Sequence, residues 1–378
     1  MKIIVIRVGN VLHPMTLSII NILQGMGIEV VLCTTKSGID LNRKFDNRVT
    51  VEELDIDYLK RTNVIKKFIR MFIVRKKLWK VIDTHYDEDT ILWISHNISI
   101  KHLGRKILRK RYILHLNELN EGIIYYPRLP FLRMNSKAIG NGALKVVVPE
   151  YNRAHITKAW WNLGRLPVVM ENKPYLEKGI SRKSPVLHSE EAYTILERLA
   201  GRKIILYQGA IQAERPLHGF IKAVERLGNE YAFVIMGSGD NKCIEMGYKN
   251  CYYIPYVEPP YHLEITSHAH IGIMSYVPIR NQNSLLNALY CAPNKVFEYG
   301  MFGIPMLSND VPALKYLFDT RHCGICVGSF DDAEIYNAIK TIEDNYDEYA
   351  TNAKKYSDSV NTEETLRKIV GDVARSLV

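Results

Sequence analysis

At 378 residues, 47% of them hydrophobic, the chain is long enough for two domains with full cores and too apolar to be disordered. Its net charge of +10 is uneven: residues 1–175 hold 29 Lys and Arg against 15 Asp and Glu, and the remainder 21 against 25. An anionic partner is therefore expected for the first half, either nucleic acid or an anionic membrane surface. Six cysteines without a disulfide framework argue for a reduced, cytoplasmic compartment. The chain has no run of about 18 apolar residues, and residues 1–8 read as a strand with no cleavage site after them, so neither a membrane span nor a leader is expected.

In chain order, residues 2–8 (KIIVIRV) form a continuous apolar run of the kind buried on both faces of a parallel sheet. Gly9 and Asn10 make the turn after it, a helix is expected over 15–26, and a strand over 28–34. Strand, glycine turn, helix and strand make a Rossmann-like opening. There is no GxGxxG, so a nicotinamide cofactor is not supported. Ligands of such sheets bind at the carboxyl ends of the strands, which puts Gly9, Asn10 and His13 at a site. Asp55 and Asp57 form a DxD, read as a solvated strand end rather than a metal pair.

Residues 60–80 hold nine basic side chains and no acidic one. Ile65, Phe68, Ile69, Phe72 and Trp79 fall on one helical stripe, with Lys66, Lys67, Arg70 and Lys77 largely opposite. This reads as a basic amphipathic helix at an anionic membrane surface; the alternative is a stripe packed on its own domain. Residues 101–111 add a second basic cluster. Strands over 91–95 and 112–116 end at His96, Asn97, His115, Asn117 and Glu118, and the histidines read either as functional or as structural. Residues 168–174 close the first domain, and 175–191 read as a linker.

The second half repeats the alternation. Residues 203–208 open a sheet and lead to Gly209; 232–236 form a strand, with Gly237, Ser238 and Gly239 as its turn. Further strands are expected at 251–257 and 271–275, and residues 276–291 form a long polar loop of the length that is often functional. The segment 292–305 (APNKVFEYGMFGIP) then reads as a helix with Pro293 in its first turn and Gly303 just past its end. Its first turn, at Asn294, carries unpaired N–H groups suited to a phosphate. Lys295 adds a charge there, and Glu298 is placed to accept bonds from ribose hydroxyls; from spacing alone, an ordinary amphipathic helix with two solvated charges is the alternative. Cys323 and Cys326 form a CxxC in an apolar run and are read as packing.

The stretch APNKVFEYGMFGIPMLSNDVP resembles the donor-site segment of retaining GT-B glycosyltransferases, family 4 in particular, which read roughly P-[NS]-K-x-x-E-Y-x-x-x-G-x-P, then a strand and D-x-P. That resemblance implies an α/β protein of the GT-B fold: two Rossmann-like domains with parallel sheets facing a central cleft. The first domain would span 1–172 and bind the acceptor, the second 173–356 and bind a nucleotide sugar, and a helix in 357–378 would cross back to the first. Residues 168–174 (VVMENKP) resemble the family's crossing between domains. Arg215 falls where the family has a Lys on the donor diphosphate, while Ala210 stands in place of its other basic residue. Gly209, Gly237 and Gly239 match its glycine turns. Tyr256 and Val257 match the loop that meets the base. Tyr290 replaces the first Glu of its E-x7-E pair and Glu298 matches the second. HLNEL resembles D-x-H-E-L, with His115 for the Asp and Asn117 for the His.

The expected activity is retaining transfer from a UDP-sugar to a membrane-associated, lipid-linked glycan in surface-polysaccharide synthesis. It would need no metal or cofactor and involve no nucleic acid. The protein would sit peripherally on the inner face of the cytoplasmic membrane. Arg215, Lys295 and Glu298 are the candidate catalytic residues. A nucleotide-sugar 2-epimerase of the same fold and a non-catalytic membrane- or nucleic-acid-binding protein are the alternatives.

Overall fold

A computed structural model describes residues 1–9, 13–36, 45, 48–56, 63–124, 133–174, 180–239, 247–279 and 284–375. Asn10, Asp57 and residues 60–62 lie outside these, as does the side chain of Ile65. The chain divides into two compact units: Met1–Glu171 with Gln282–Ser284 and Asn361–Val378, and Asn172–Asn281 with Leu285–Val360.

The first unit runs β1 (Lys2–Arg7), α1 (Pro14–Gly25), β2 (Glu29–Thr35), β3 (Val49–Leu54), α2 (Val64–His85), β4 (Thr90–Ser95), α3 (Asn97–Leu103), β5 (Tyr112–His115), α4 (Ser136–Asn141), β6 (Lys145–Val148), α5 (Tyr151–Trp161) and β7 (Val168–Val169). Its seven strands are parallel in the order β3-β2-β1-β4-β5-β6-β7. The inner strands are nearly all apolar because helices cover both faces. Ile4, Ile6 and Val8 pack with Val74, Leu78 and Ile82 of α2 on one face. Ile3 and Val5 pack with Met15 and Ile19 of α1 on the other.

The second unit continues with α6 (Glu190–Arg198), β8 (Lys203–Ile211), α7 (His218–Leu227), β9 (Tyr231–Gly239), β10 (Cys251–Pro255), α8 (His262–Thr266), β11 (Ile271–Met274), α9 (Leu286–Leu289), α10 (Lys295–Gly300), β12 (Met306–Asn309), α11 (Pro312–Arg321), β13 (Gly324–Val327), α12 (Asp332–Asp344) and α13 (Tyr346–Ser359). Its six strands are also parallel, in the order β10-β9-β8-β11-β12-β13. Lys173 Nζ donates to the carbonyls of Ser357 (2.6 Å) and Val360 (2.9 Å), which satisfies two carbonyls at the end of α13. The last helix, α14 (Thr362–Arg375), belongs to the first unit: Leu366, Ile369, Val370 and Val373 are buried there with Ile3 and Val5. Lys145 pairs with Asp372 at 2.8 Å beside them.

Both sheets change direction at their centre, between β1 and β4 and between β8 and β11. Ligands of doubly wound sheets settle at the carboxyl ends of the strands beside such a point.

Two expected turns are strands instead. Gly209 lies inside β8, and Gly237 and Gly239 lie inside β9, which pairs with β8 to the end: Gly209 with Gly237, Ile211 with Gly239. A Cβ on Gly237 would stand 1.9 Å from the Gly209 carbonyl oxygen, and one on Gly239 2.0 Å from that of Ile211. Gly209 and Gly239 also take positive φ, 126° and 140°. The glycines let two backbones run together past the point where side chains would force them apart.

The CxxC is packing: both thiols are pushed up to about 12 by burial, Cys323 before β13 and Cys326 within it. Asp55, at the end of β3, is exposed.

Candidate active site

At the β8–β11 switch point, two loops are stitched together. Ser275 Oγ donates to the Pro216 carbonyl at 2.8 Å, and the Val277 N–H to that of Glu214 at 3.0 Å. This holds Arg215, just before α7, over the ring of Tyr276, with Cζ 3.9 Å from the centroid. Lys295, at the start of α10, brings Nζ to 4.2 Å from the Tyr207 ring and 5.7 Å from that of Tyr276. Gly209 leaves room for it, since a Cβ there would meet Lys295 Cε at 3.3 Å. Two cations thus share two aromatic faces.

Neither cation makes an ion pair among the described residues. Burial first, then Arg215, pulls the Lys295 ammonium down to about 7, against Glu298 and Cys291, which raise it. As a residue, Lys295 is half-buried. Such a pair repels itself until an anion comes between, and a diphosphate carries the charge and oxygens to do so.

The helix behind Lys295 is shorter than expected. It spans six residues, and Asn294 takes an α conformation with no side-chain cap. Pro293 precedes it, and its carbonyl accepts from the Val296 N–H at 3.3 Å. Gly303 has φ of +62°, the left-handed residue expected after the helix.

Glu298 does not face outward to take ribose hydroxyls. It is 4% exposed, with Oε2 accepting from Gln208 Nε2 at 2.6 Å and Oε1 3.2 Å from His262 Nε2. Thr266 Oγ1 donates to Gln208 Oε1 at 2.6 Å and closes the chain. Glu298 sits on the inward side of α10, one turn past Lys295, so it fixes the helix to β8 at Gln208. Gln208, Thr266, His262, Tyr207 and Tyr276 were not singled out from sequence; a polar Gln ending an apolar strand was the only signal. Tyr256 is exposed, Val257 packs against the core, and Tyr290 follows α9 half-buried.

The first unit carries its own polar rim. Arg7, Ser95 and His115 are register partners across β1, β4 and β5, so all three lie on one face. Arg7 is 5% exposed and donates to Asn117 Oδ1 at 3.1 Å, while Arg153 donates to the Asn117 carbonyl at 2.8 Å. Burial first, then Arg7, holds His96 and His115 near 3, and the same two causes hold His13 well below its usual range. His96 has φ of +73°, and its Nδ1 accepts from the Ile98 N–H at 3.2 Å. Among the described residues, both ring nitrogens of His115 and Nδ1 of His13 have no hydrogen-bond partner. Gly9 donates its N–H to Thr35 Oγ1 at 3.1 Å; burial pulls the Arg7 guanidinium down to about 10, with half-exposed Glu118 opposing it. Three neutral histidines this acidic are weak bases at neutral pH. Arg7 was missed in the sequence because it ends an apolar strand.

Helix α2 is only half packed. Met71, Val74, Leu78, Trp79 and Ile82 are buried, while Phe68, Ile69, Phe72 and Ile73 are 53%, 52%, 49% and 46% exposed. Trp79 therefore leaves the expected lipid-facing stripe: its Nε1 donates to the Leu103 carbonyl at 2.9 Å, and Lys106 lies over its ring at 4.3 Å. Lys66 and Lys67 are exposed, and Arg70 and Lys77 half-buried.

Residues 215–374 match the family described as glycosyl transferase-like. No curated protein sequence matches the chain. Among solved structures, it is similar to sucrose-phosphate synthase from Thermosynechococcus elongatus (TM-score 0.70, 14% identity, covering 100% of this chain and 99% of that one). It is also similar to HepE of Anabaena in complex with UDP-glucose (0.70, 12%, 99% and 100%). A third is α,α-trehalose 6-phosphate synthase from Burkholderia multivorans (0.66, 11%, 99% and 98%). The chain has the GT-B fold, and its second half is glycosyltransferase-like.

Proposed function

We propose that the protein is a retaining glycosyltransferase of the family 4 type that takes a UDP-sugar at the carboxyl-terminal rim of its second sheet. The acceptor would be a lipid-linked glycan in surface-polysaccharide assembly, such as capsule or lipopolysaccharide. The enzyme would work peripherally on the inner face of the cytoplasmic membrane. The observation that carries the reading is the pair Arg215 and Lys295, held over Tyr276 and Tyr207 at the switch point. Structural neighbours with bound UDP and UDP-glucose support the choice of donor. The lipid-linked acceptor rests on the charge and exposure of the first unit.

In the reaction, the bond from the anomeric carbon to the donor phosphate breaks and charge grows on the departing diphosphate. Arg215 and Lys295 stabilise that charge in a site already organised for it. The acceptor hydroxyl attacks on the face the diphosphate leaves, and its proton passes to the leaving phosphate oxygen. That route suits a rim whose histidines titrate near 3, too acidic for an efficient general base. Two cations supply the neutralisation that a divalent metal would otherwise provide, so the scheme requires none.

Incubation with a panel of UDP-sugars tests the reading. Slow release of UDP without acceptor is the expected result. Inversion at C2 of the sugar would instead indicate an epimerase, and no turnover of any donor a binding protein.

A further inference from the structure

We infer that the first half of α2 is a membrane-docking face, with Phe68, Ile69, Phe72 and Ile73 entering the headgroup boundary of an anionic bilayer. The partner is a lipid surface carrying phosphate, and the inference rests on, and deepens, the lipid-linked acceptor reading. These four side chains form one exposed apolar patch where a surface helix would carry polar groups. Phe68 and Phe72 meet edge to face at 5.0 Å, so the patch is continuous. The i+4 row through positions 68, 72, 76 and 80 reads Phe, Phe, Lys, Lys, and both lysines are exposed. One outward face therefore passes from apolar to cationic along its length, which matches the step from acyl boundary to headgroup phosphate.

The helix does not need the membrane in order to form. Asn63 caps it, its Oδ1 accepting from the Lys66 N–H at 2.9 Å. Its second half is bolted to the unit through Trp79 and through Arg75, whose Nε donates to the His102 carbonyl at 2.8 Å. Docking thus costs little ordering entropy. Lys66, Lys67, Lys76 and Lys80 make no ion pair among the described residues, and the Lys101 pKa is lowered by burial first and then by the nearby charge of Lys67. The second basic cluster therefore adjoins the first; within it Lys106 pairs with Asp83 at 3.0 Å, while the four exposed lysines of α2 keep their charge open to a partner. The patch runs along six residues of helix, about 9 Å, enough to enter a headgroup layer and far too little to span. A nucleic-acid surface would match the lysines but would leave the four apolar side chains in water.

The test is flotation of the full-length protein with vesicles of phosphatidylglycerol and phosphatidylcholine, against phosphatidylcholine alone, with UDP binding measured on the same samples. Flotation with the anionic vesicles only, weakened at 0.5 M salt, is expected. Lys66→Glu with Lys67→Glu should lower affinity at least 20-fold, at about fivefold per lysine. Phe68→Ser with Phe72→Ser should lower it about 10-fold or more while melting temperature and UDP binding stay unchanged, since both rings are already exposed. Equal flotation with neutral vesicles, no loss in the Phe pair, or binding to RNA but not to vesicles would each overturn the inference. Flotation without UDP binding would sink the transferase reading and leave this one standing.

Discussion

Lys295 makes the most testable claim at the scale of one residue. In the free protein its pKa lies near 7, lowered first by burial and then by Arg215. A diphosphate between the two would favour the charged form and raise that pKa towards the usual lysine value near 10.4. At pH 8 the free site is then mostly neutral and the bound one charged, so binding must take up close to one proton. Titration calorimetry of UDP in two buffers of different ionisation enthalpy measures this directly. The same sign makes affinity fall as pH rises through 7 to 9. Uptake near zero at pH 8 would mean that Lys295 does not meet the ligand's charge. The sequence placed Lys295 and Arg215 at one site through resemblance, but not Glu298's inward turn. A helix of six residues has one face against β8 and one outward, and spacing alone does not say which residue takes which.

Among the elements, the glycine-lined pair β8–β9 shows where sequence reading stops. Apolar runs such as KIIVIR and KIILYQ were legible as strands because parallel strands are covered on both faces. Gly237-Ser238-Gly239 looked like a turn because nothing in one segment shows that Gly209, 28 residues earlier, faces it across a ladder. A Gly237→Ala change puts a carbon 1.9 Å from the Gly209 carbonyl oxygen, where only backbone can give. We expect a loss of about 3 kcal/mol or more, read as a lower denaturant midpoint, together with weakened UDP binding. Wild-type stability in that variant would show that the strands do not meet as described. Helix α2 erred the other way. Its amphipathic signal was correct, but Trp79 packs inward with Leu78 and Ile82 while Phe68 stays out, because the helix is buried along only part of its length.

For the whole molecule, two sheets with a reversed central order explain why buried polar and charged side chains such as Arg7 and Lys295 collect near strand ends in both units. The polar rim around Arg7 was only partly legible: the histidines stood out at strand ends, whereas a buried arginine closing an apolar strand gave no period to read. The central claim is that the second unit binds the diphosphate of a nucleotide sugar through Arg215 and Lys295. Titration of UDP into the wild-type protein and into Arg215→Ala and Lys295→Ala tests it most directly. The account predicts saturable binding by the wild type, weakened at least 10-fold in each variant, as expected for losing a charge-assisted contact of about 1.5–3 kcal/mol. No binding of UDP at millimolar concentration, or equal affinity in all three proteins, would contradict it.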